Sequence, residues 1–142
     1  MSFEKLLPVM MIVAANIFYD ISTKAVPGNI NKFCALIITY LTAAIISAIL
    51  FLYEIKLDDA LTEFSKINWA PFVLAAAIII LELGYILLYR AGWKISEGAL
   101  VANTLLALCL IIIGYIFYHE HISLKQICGA ALCVAGLILI CK

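Results

Sequence analysis

Five stretches of this sequence run for about 20 residues with few charges, and about that length of helix is needed to cross the hydrocarbon core of a bilayer. They fall at about Leu6–Ala25, Phe33–Tyr53, Ala70–Ala91, Ala99–Tyr118 and Ile122–Cys141, the last with a polar first turn. No other feature constrains the fold as strongly. In lipid every backbone N–H and C=O must find its partner inside the protein, which leaves helices or closed barrels. Composition points the same way: hydrophobic residues make up 67% and charged residues 13% of the chain, where soluble domains run near 45–50% and 25%. A chain of 142 residues has too little interior to hide that much apolar surface from water. The expected architecture is all-α and polytopic: one domain over residues 1–142, five transmembrane helices and short hairpin loops.

The connections carry turn chemistry. Val26 to Lys32, VPGNINK, places Pro27-Gly28 and two asparagines after the first span. GWKISEG joins the third and fourth spans and HEHISLK the fourth and fifth. The second connection, KLDDALTEFSKINW, is longer, and Leu57, Leu61 and Phe64 recur in it at spacings of four and three. It fits either a short amphipathic helix on the membrane surface or a solvated loop. Trp69 and Trp93 bracket the third span, where interfacial tryptophans belong. Only Lys5 supplies positive charge ahead of the first span, which contains Asn16, Tyr19 and Asp20 and is followed by no small-x-small cleavage pattern. A retained helix is expected there rather than a signal peptide.

Charge excludes several classes. The net charge is zero, and no basic patch with interleaved aromatics suggests nucleic acid. Cys34, Cys109, Cys128, Cys133 and Cys141 lie in or beside apolar runs without CxxC spacing and read as small buried apolar residues. His119-Glu120-His121 lacks the HExxH spacing that puts two imidazoles on one helix face, so no metal is expected. No nucleophile–base pairing or phosphate loop points to an enzyme, and no cofactor is implied.

Orientation is almost balanced. With five spans, one side receives Lys5, Lys56, Lys66 and Lys125, and the other Lys24, Lys32, Arg90, Lys94 and Lys142, which together are the nine Lys and Arg of the chain. The positive-inside rule acts on that excess, here a single charge. Either one orientation is weakly encoded, or copies insert both ways. In the second case two copies would rebuild the inverted repeat around which many transporters are made.

Glu82 lies in the middle of the third span. A carboxylate at that depth costs a few kcal/mol and tends to face a bundle interior or a water-filled cavity. Tyr85 and Tyr89 follow three and seven residues on, so all three share one helical face. They could line a pocket in which the carboxylate supplies charge and the phenols supply cation–π contact. Alternatively, Glu82 pairs with another helix and only holds the bundle. Asn16, Tyr19, Asp20 and Thr23 make a polar stripe on the first span, either facing Glu82 across a cavity or, for Asp20 with Lys24, forming an exposed pair at a helix end. Asn16 is the deeper lining candidate. Asn103 and Thr104 read as interhelical glue, Tyr115 as cavity lining or aromatic belt, and Arg90 and Lys94 as snorkelling cations. Gly129, Cys133 and Gly136, spaced four and three apart, form a stripe of small residues that would let a second helix approach closely, within the chain or across a dimer.

From Gly84 to Ile140 the chain resembles the EamA-type half-unit of the drug/metabolite transporter superfamily. The resemblance rests on Tyr89-Arg90-Ala91 ending one span, Tyr118-His119-Glu120 ending the next, the Ser123 turn, and two glycines seven apart at Gly129 and Gly136. Many such proteins carry a proline in the fourth span; NTLLALCLIIIGY has none. The related small multidrug resistance exporters have four spans and a key carboxylate in the first helix. This chain is closer to the five-span branch and its carboxylates lie elsewhere. The resemblance implies a secondary transporter of a small metabolite or drug-like molecule in a prokaryotic plasma membrane. It would work by alternating access as a homodimer, antiparallel in the dual-topology case, or with a paralogous subunit, and the small-residue stripe would serve as the dimer contact. Proton coupling through Glu82 is the mechanism the residues suggest. A lipid-linked sugar translocator, favoured by a tall hydrophobic groove, and a non-transporting subunit that stabilises a partner are the alternatives.

Overall fold

A computed structural model describes residues 3–55 and 57–140. Among the described residues six helices follow one another: α1 (Phe3–Ala25), α2 (Lys32–Glu54), α3 (Leu57–Ser65), α4 (Ala70–Arg90), α5 (Ile95–Phe117) and α6 (Leu124–Ile140). Among the described residues there is no strand. Four helices are long and apolar enough to cross a membrane: Leu6–Ala25 of α1, with α2, α4 and α5. The fifth apolar helix, α6, has 17 described residues, about 25 Å at 1.5 Å per residue, and falls short of the ~30 Å core.

Burial confirms the solvent. Among the described residues, only Leu36, Ile86 and Tyr89 form a buried hydrophobic core, while Phe18, Phe72 and Phe117 are 72–73% exposed. A chain in water cannot leave whole helices of Ile, Leu and Phe uncovered; in a bilayer the same surface faces acyl chains. The cysteines follow this pattern rather than the expected burial. Cys34, Cys109, Cys128 and Cys133 are free and exposed, because lipid accommodates a thiol as readily as a core does. Cys141 lies outside the described residues.

The chain forms two compact units, Ala25–Arg90 and Met1–Lys24 with Ala91–Lys142. In the first, α2 packs on α4. Asn31 caps α2, its Oδ1 accepting from the Phe33 amide at 2.9 Å. Asn68 accepts from the Ala70 amide at 3.0 Å and opens α4 in the same way. The Arg90 guanidinium donates to the Pro27 carbonyl at 3.2 Å and the Ile30 carbonyl at 2.8 Å. It therefore ties the loop before α2 to the end of α4 and is not simply a snorkelling cation. The long second connection does contain a helix: α3 lies against the end of α2, where the Phe51 and Phe64 rings stand 5.5 Å apart.

In the second unit, α5 and α6 pack as a hairpin. α5 begins at Ile95, four residues before the expected Ala99. Lys94 pairs with Glu97 at 2.8 Å across its first turn. That carboxylate holds the Lys94 pKa above the usual 10.5, so the lysine's half of the pair stays charged through ordinary pH and is lost as pH rises past the raised value. The turn after α5 runs through His119 at φ +52°, and the Glu120 amide returns to the Gly114 carbonyl at 3.1 Å. Gly114 is buried beneath the Glu120 carboxyl, and a Cβ there would stand 2.7 Å from Glu120 Oε2. Ser123 then opens α6 with a capping box: its amide donates to Gln126 Oε1 at 2.7 Å, and its Oγ accepts from the Gln126 amide at 3.3 Å. At the other end of this unit, Lys24 Nζ donates to the Trp93 carbonyl at 2.9 Å.

Candidate functional site

α2 and α4 run in opposite directions, and Arg90 joins their ends at one membrane face. Equal counts inward from that face therefore give equal depths. Leu36 is four residues into α2 and Ile86 four residues back from the end of α4, and both are buried, at 4% and 3% exposure. One turn deeper come Tyr40 and Glu82, each eight residues from its helix end, about 12 Å along the axis and close to mid-membrane.

Glu82 is half-buried there. Tyr85 is half-buried and Tyr89 buried, with their rings 6.1 Å apart and tilted at 42°. The expected face of α4 is therefore formed, and its two phenols are in contact. Tyr40 is an addition that the sequence reading missed. Its hydroxyl is buried without a hydrogen-bond partner among the described residues, and it lies close enough to Glu82 for the carboxylate's charge to act on it. A tyrosine at the depth of Glu82 is visible in the sequence, but its relevance depends on knowing that α2 is the neighbour of α4. A buried orphan hydroxyl carries a desolvation cost, which a ligand able to bond it would relieve.

The other proposed residues belong to the second unit. Asn16 is exposed, Tyr19 and Asp20 are half-buried, and Thr23 is buried at 8%. The covered part of the polar stripe is thus its C-terminal end, and Asn16 is exposed. Along α6, Gly129 and Gly136 are half-buried and Cys133 exposed. A Cβ added at either glycine would meet nothing within 4 Å, so among the described residues of their own unit no helix uses these glycines for close approach. Tyr115 lines an open cavity of about 540 Å³ beside His119, Glu120 and His121.

The class is now defined: a multi-pass helical membrane protein whose packed helix pair holds a carboxylate and a phenol near mid-membrane, with two further phenols between them and the membrane face. The model of the EamA-like transporter family matches residues 5–142, and the chain belongs to that family. The match extends the resemblance from the C-terminal half to nearly the whole sequence, and it implies a function of the transporter type. No curated protein and no solved structure matches the chain.

Proposed function

We propose that the chain is a proton-coupled carrier of small organic cations in a prokaryotic plasma membrane, with Glu82 as the group that exchanges proton for substrate. The observation that carries this reading is the placement of Glu82 at the depth of the orphan Tyr40 hydroxyl, with Tyr85 and Tyr89 one and two turns nearer the membrane face. A mid-membrane carboxylate is costly, and the cost falls when a proton or a cation neutralises it. The Tyr85 and Tyr89 rings, 6.1 Å apart, suit the flat faces of an aromatic or quaternary cation. Proton and cation then compete for one carboxylate, which couples their movements in opposite directions.

The unit of transport in this reading is a homodimer working by alternating access. The open small-residue stripe on α6 supports it as a contact between copies, and the near-equal division of positive charge supports opposite orientations. Asn16, Tyr19 and Asp20 remain candidate substrate or proton contacts from α1. Reporters active on only one side of the membrane, fused after Lys142, should both give signal if copies insert both ways. Signal from one alone removes the self-paired antiparallel form.

The test of mechanism is transport of tetraphenylphosphonium and ethidium into proteoliposomes under an imposed pH gradient. The native chain should drive uptake, and Glu82→Gln should reduce it to the level of empty vesicles. A Glu82→Gln protein that retains proton-driven uptake overturns the reading.

A further inference from the structure

The outer half of α2 is built differently from its inner half. Ala44, Ser47 and Ala48 put three small side chains on the face that turns toward α3, and Phe51 meets Phe64 of α3 beyond them. The result is an open groove of about 820 Å³, closed at one end by the ring pair and walled by Ala60 and Ile67. Among the described residues its polar side chains are Ser47 and Glu63, and Glu63 is ion-paired with Lys66.

We propose that this groove is a binding site for one acyl chain of a zwitterionic, amine-bearing phospholipid. Three observations select that occupant. The groove is continuous with the exposed apolar surface of a membrane-crossing helix, where Ile45, Ile49 and Leu52 are 52–61% exposed, so it opens onto lipid rather than water. The Phe51–Phe64 contact places α3 directly across its end. An extended acyl chain is slimmer than a second helix, 10–12 Å across with its side chains, and needs less clearance beside α3. Among the described side chains of the flanking segment, Glu54 and Glu63 set two carboxylates against one ammonium, that of Lys66, which repels anionic headgroups and suits an ammonium. α3 therefore departs from surface helices held by Lys and Arg on anionic lipid. Its hold on the membrane comes from the apolar seat. The described lining is mainly apolar and fits hydrocarbon, at the opposite end of α2 from Arg90 and the buried Leu36.

Native mass spectrometry of the full chain, released from nanodiscs of equal phosphatidylethanolamine and phosphatidylglycerol, tests the site. One phosphatidylethanolamine per chain should survive release, with about fivefold preference over phosphatidylglycerol, the factor that one charge near a membrane surface is worth. Ala48→Trp fills the groove and should remove the bound lipid. Ala44→Leu, a milder filling, should weaken retention while far-UV helicity is unchanged, which separates loss of the site from loss of fold. Bare chains, equal retention of the two lipids, unchanged retention in both variants, or a dimer that disappears in Ala48→Trp in place of the lipid would each overturn the proposal.

Discussion

The two ends of α2 share one sequence character and meet opposite fates. Both halves are made mainly of Ile, Leu, Ala and aromatic residues. Yet Leu36 is buried to 4% against α4, whereas Leu50 and Leu52 remain 62% and 52% exposed. The difference lies in the neighbour. The inner end is matched turn by turn by α4 and fixed by the Arg90 bonds. The outer end presents small side chains to a short helix that touches it through one ring pair. In water both ends would be driven into a core by the same hydrophobic force. In a bilayer that force is absent between helices, and shape alone decides which apolar surface meets protein.

Mutations can break this contrast. The largest effect should come from Ile86→Ala, which opens a cavity under Leu36 at the packed end. Removal of a buried Ile or Leu costs 2–5 kcal/mol in water. Without a transfer term in lipid the expected loss is about 2 kcal/mol, read from the SDS concentration at which helicity is lost. The equivalent truncation at the open end, Leu52→Ala, should change stability by less than about 0.5 kcal/mol. Equal losses at the two ends would erase the distinction drawn between them.

Next in size is Arg90→Ala. It removes two charge-assisted bonds at an exposed position, so the loss should be about 1 kcal/mol after solvent screening, with faster amide exchange at Ile30, whose amide bonds the Pro27 carbonyl at 3.3 Å. Arg90→Lys should recover only part of this, because one ammonium does not span two carbonyls as a guanidinium fork does. If the two variants behave alike, the loop is held by charge and not by the fork. Of comparable size, Tyr40→Phe keeps the ring and removes the orphan hydroxyl. Cation uptake should then weaken about 2- to 10-fold, the worth of one hydrogen bond, with stability unchanged or slightly raised because a buried unpaired group is gone. A stability loss would mean that the hydroxyl already has a structural role.

Much of this was legible in the sequence. Four of the five expected spans are long apolar helices of the predicted order, because lipid imposes one length and one hydrogen-bond pattern on any crossing segment. The face of Glu82, Tyr85 and Tyr89 followed from their spacing. Partnership was not legible. Tyr40 could not be joined to Glu82 until α2 was known to pack on α4, and the cysteines could not be sorted between core and lipid, since hydropathy treats both surroundings alike. The start of α5 was hidden for another reason. Ile95-Ser96-Glu97 reads as a polar connection, but Glu97 favours the positive end of a helix, and Lys94 lies within reach of it. Ser123 and Gln126 did hold a readable signal, the S-x-x-Q capping box, in a segment whose polarity pointed to a loop.

The smallest effect belongs at the open end, in the Glu63–Lys66 pair beside the groove. Their side chains are 39% and 62% exposed and stand one turn apart on one surface. An exposed pair of this spacing is worth about 0.3–0.5 kcal/mol and is screened by salt. Lys66→Gln should therefore lower the SDS resistance of α3 barely, and less at 1 M salt than at 0.05 M, where screening lengths are about 3 Å and over 10 Å. Its effect on lipid should be larger than its effect on fold. Removing Lys66 leaves Glu63 uncompensated and makes the segment more acidic by one charge, which should sharpen the preference for phosphatidylethanolamine over phosphatidylglycerol. Glu63→Gln moves the charge the other way and should blunt it. If the two variants shift lipid preference in the same direction, headgroup charge is not what the open end reads, and the distinction between its ends is one of packing alone.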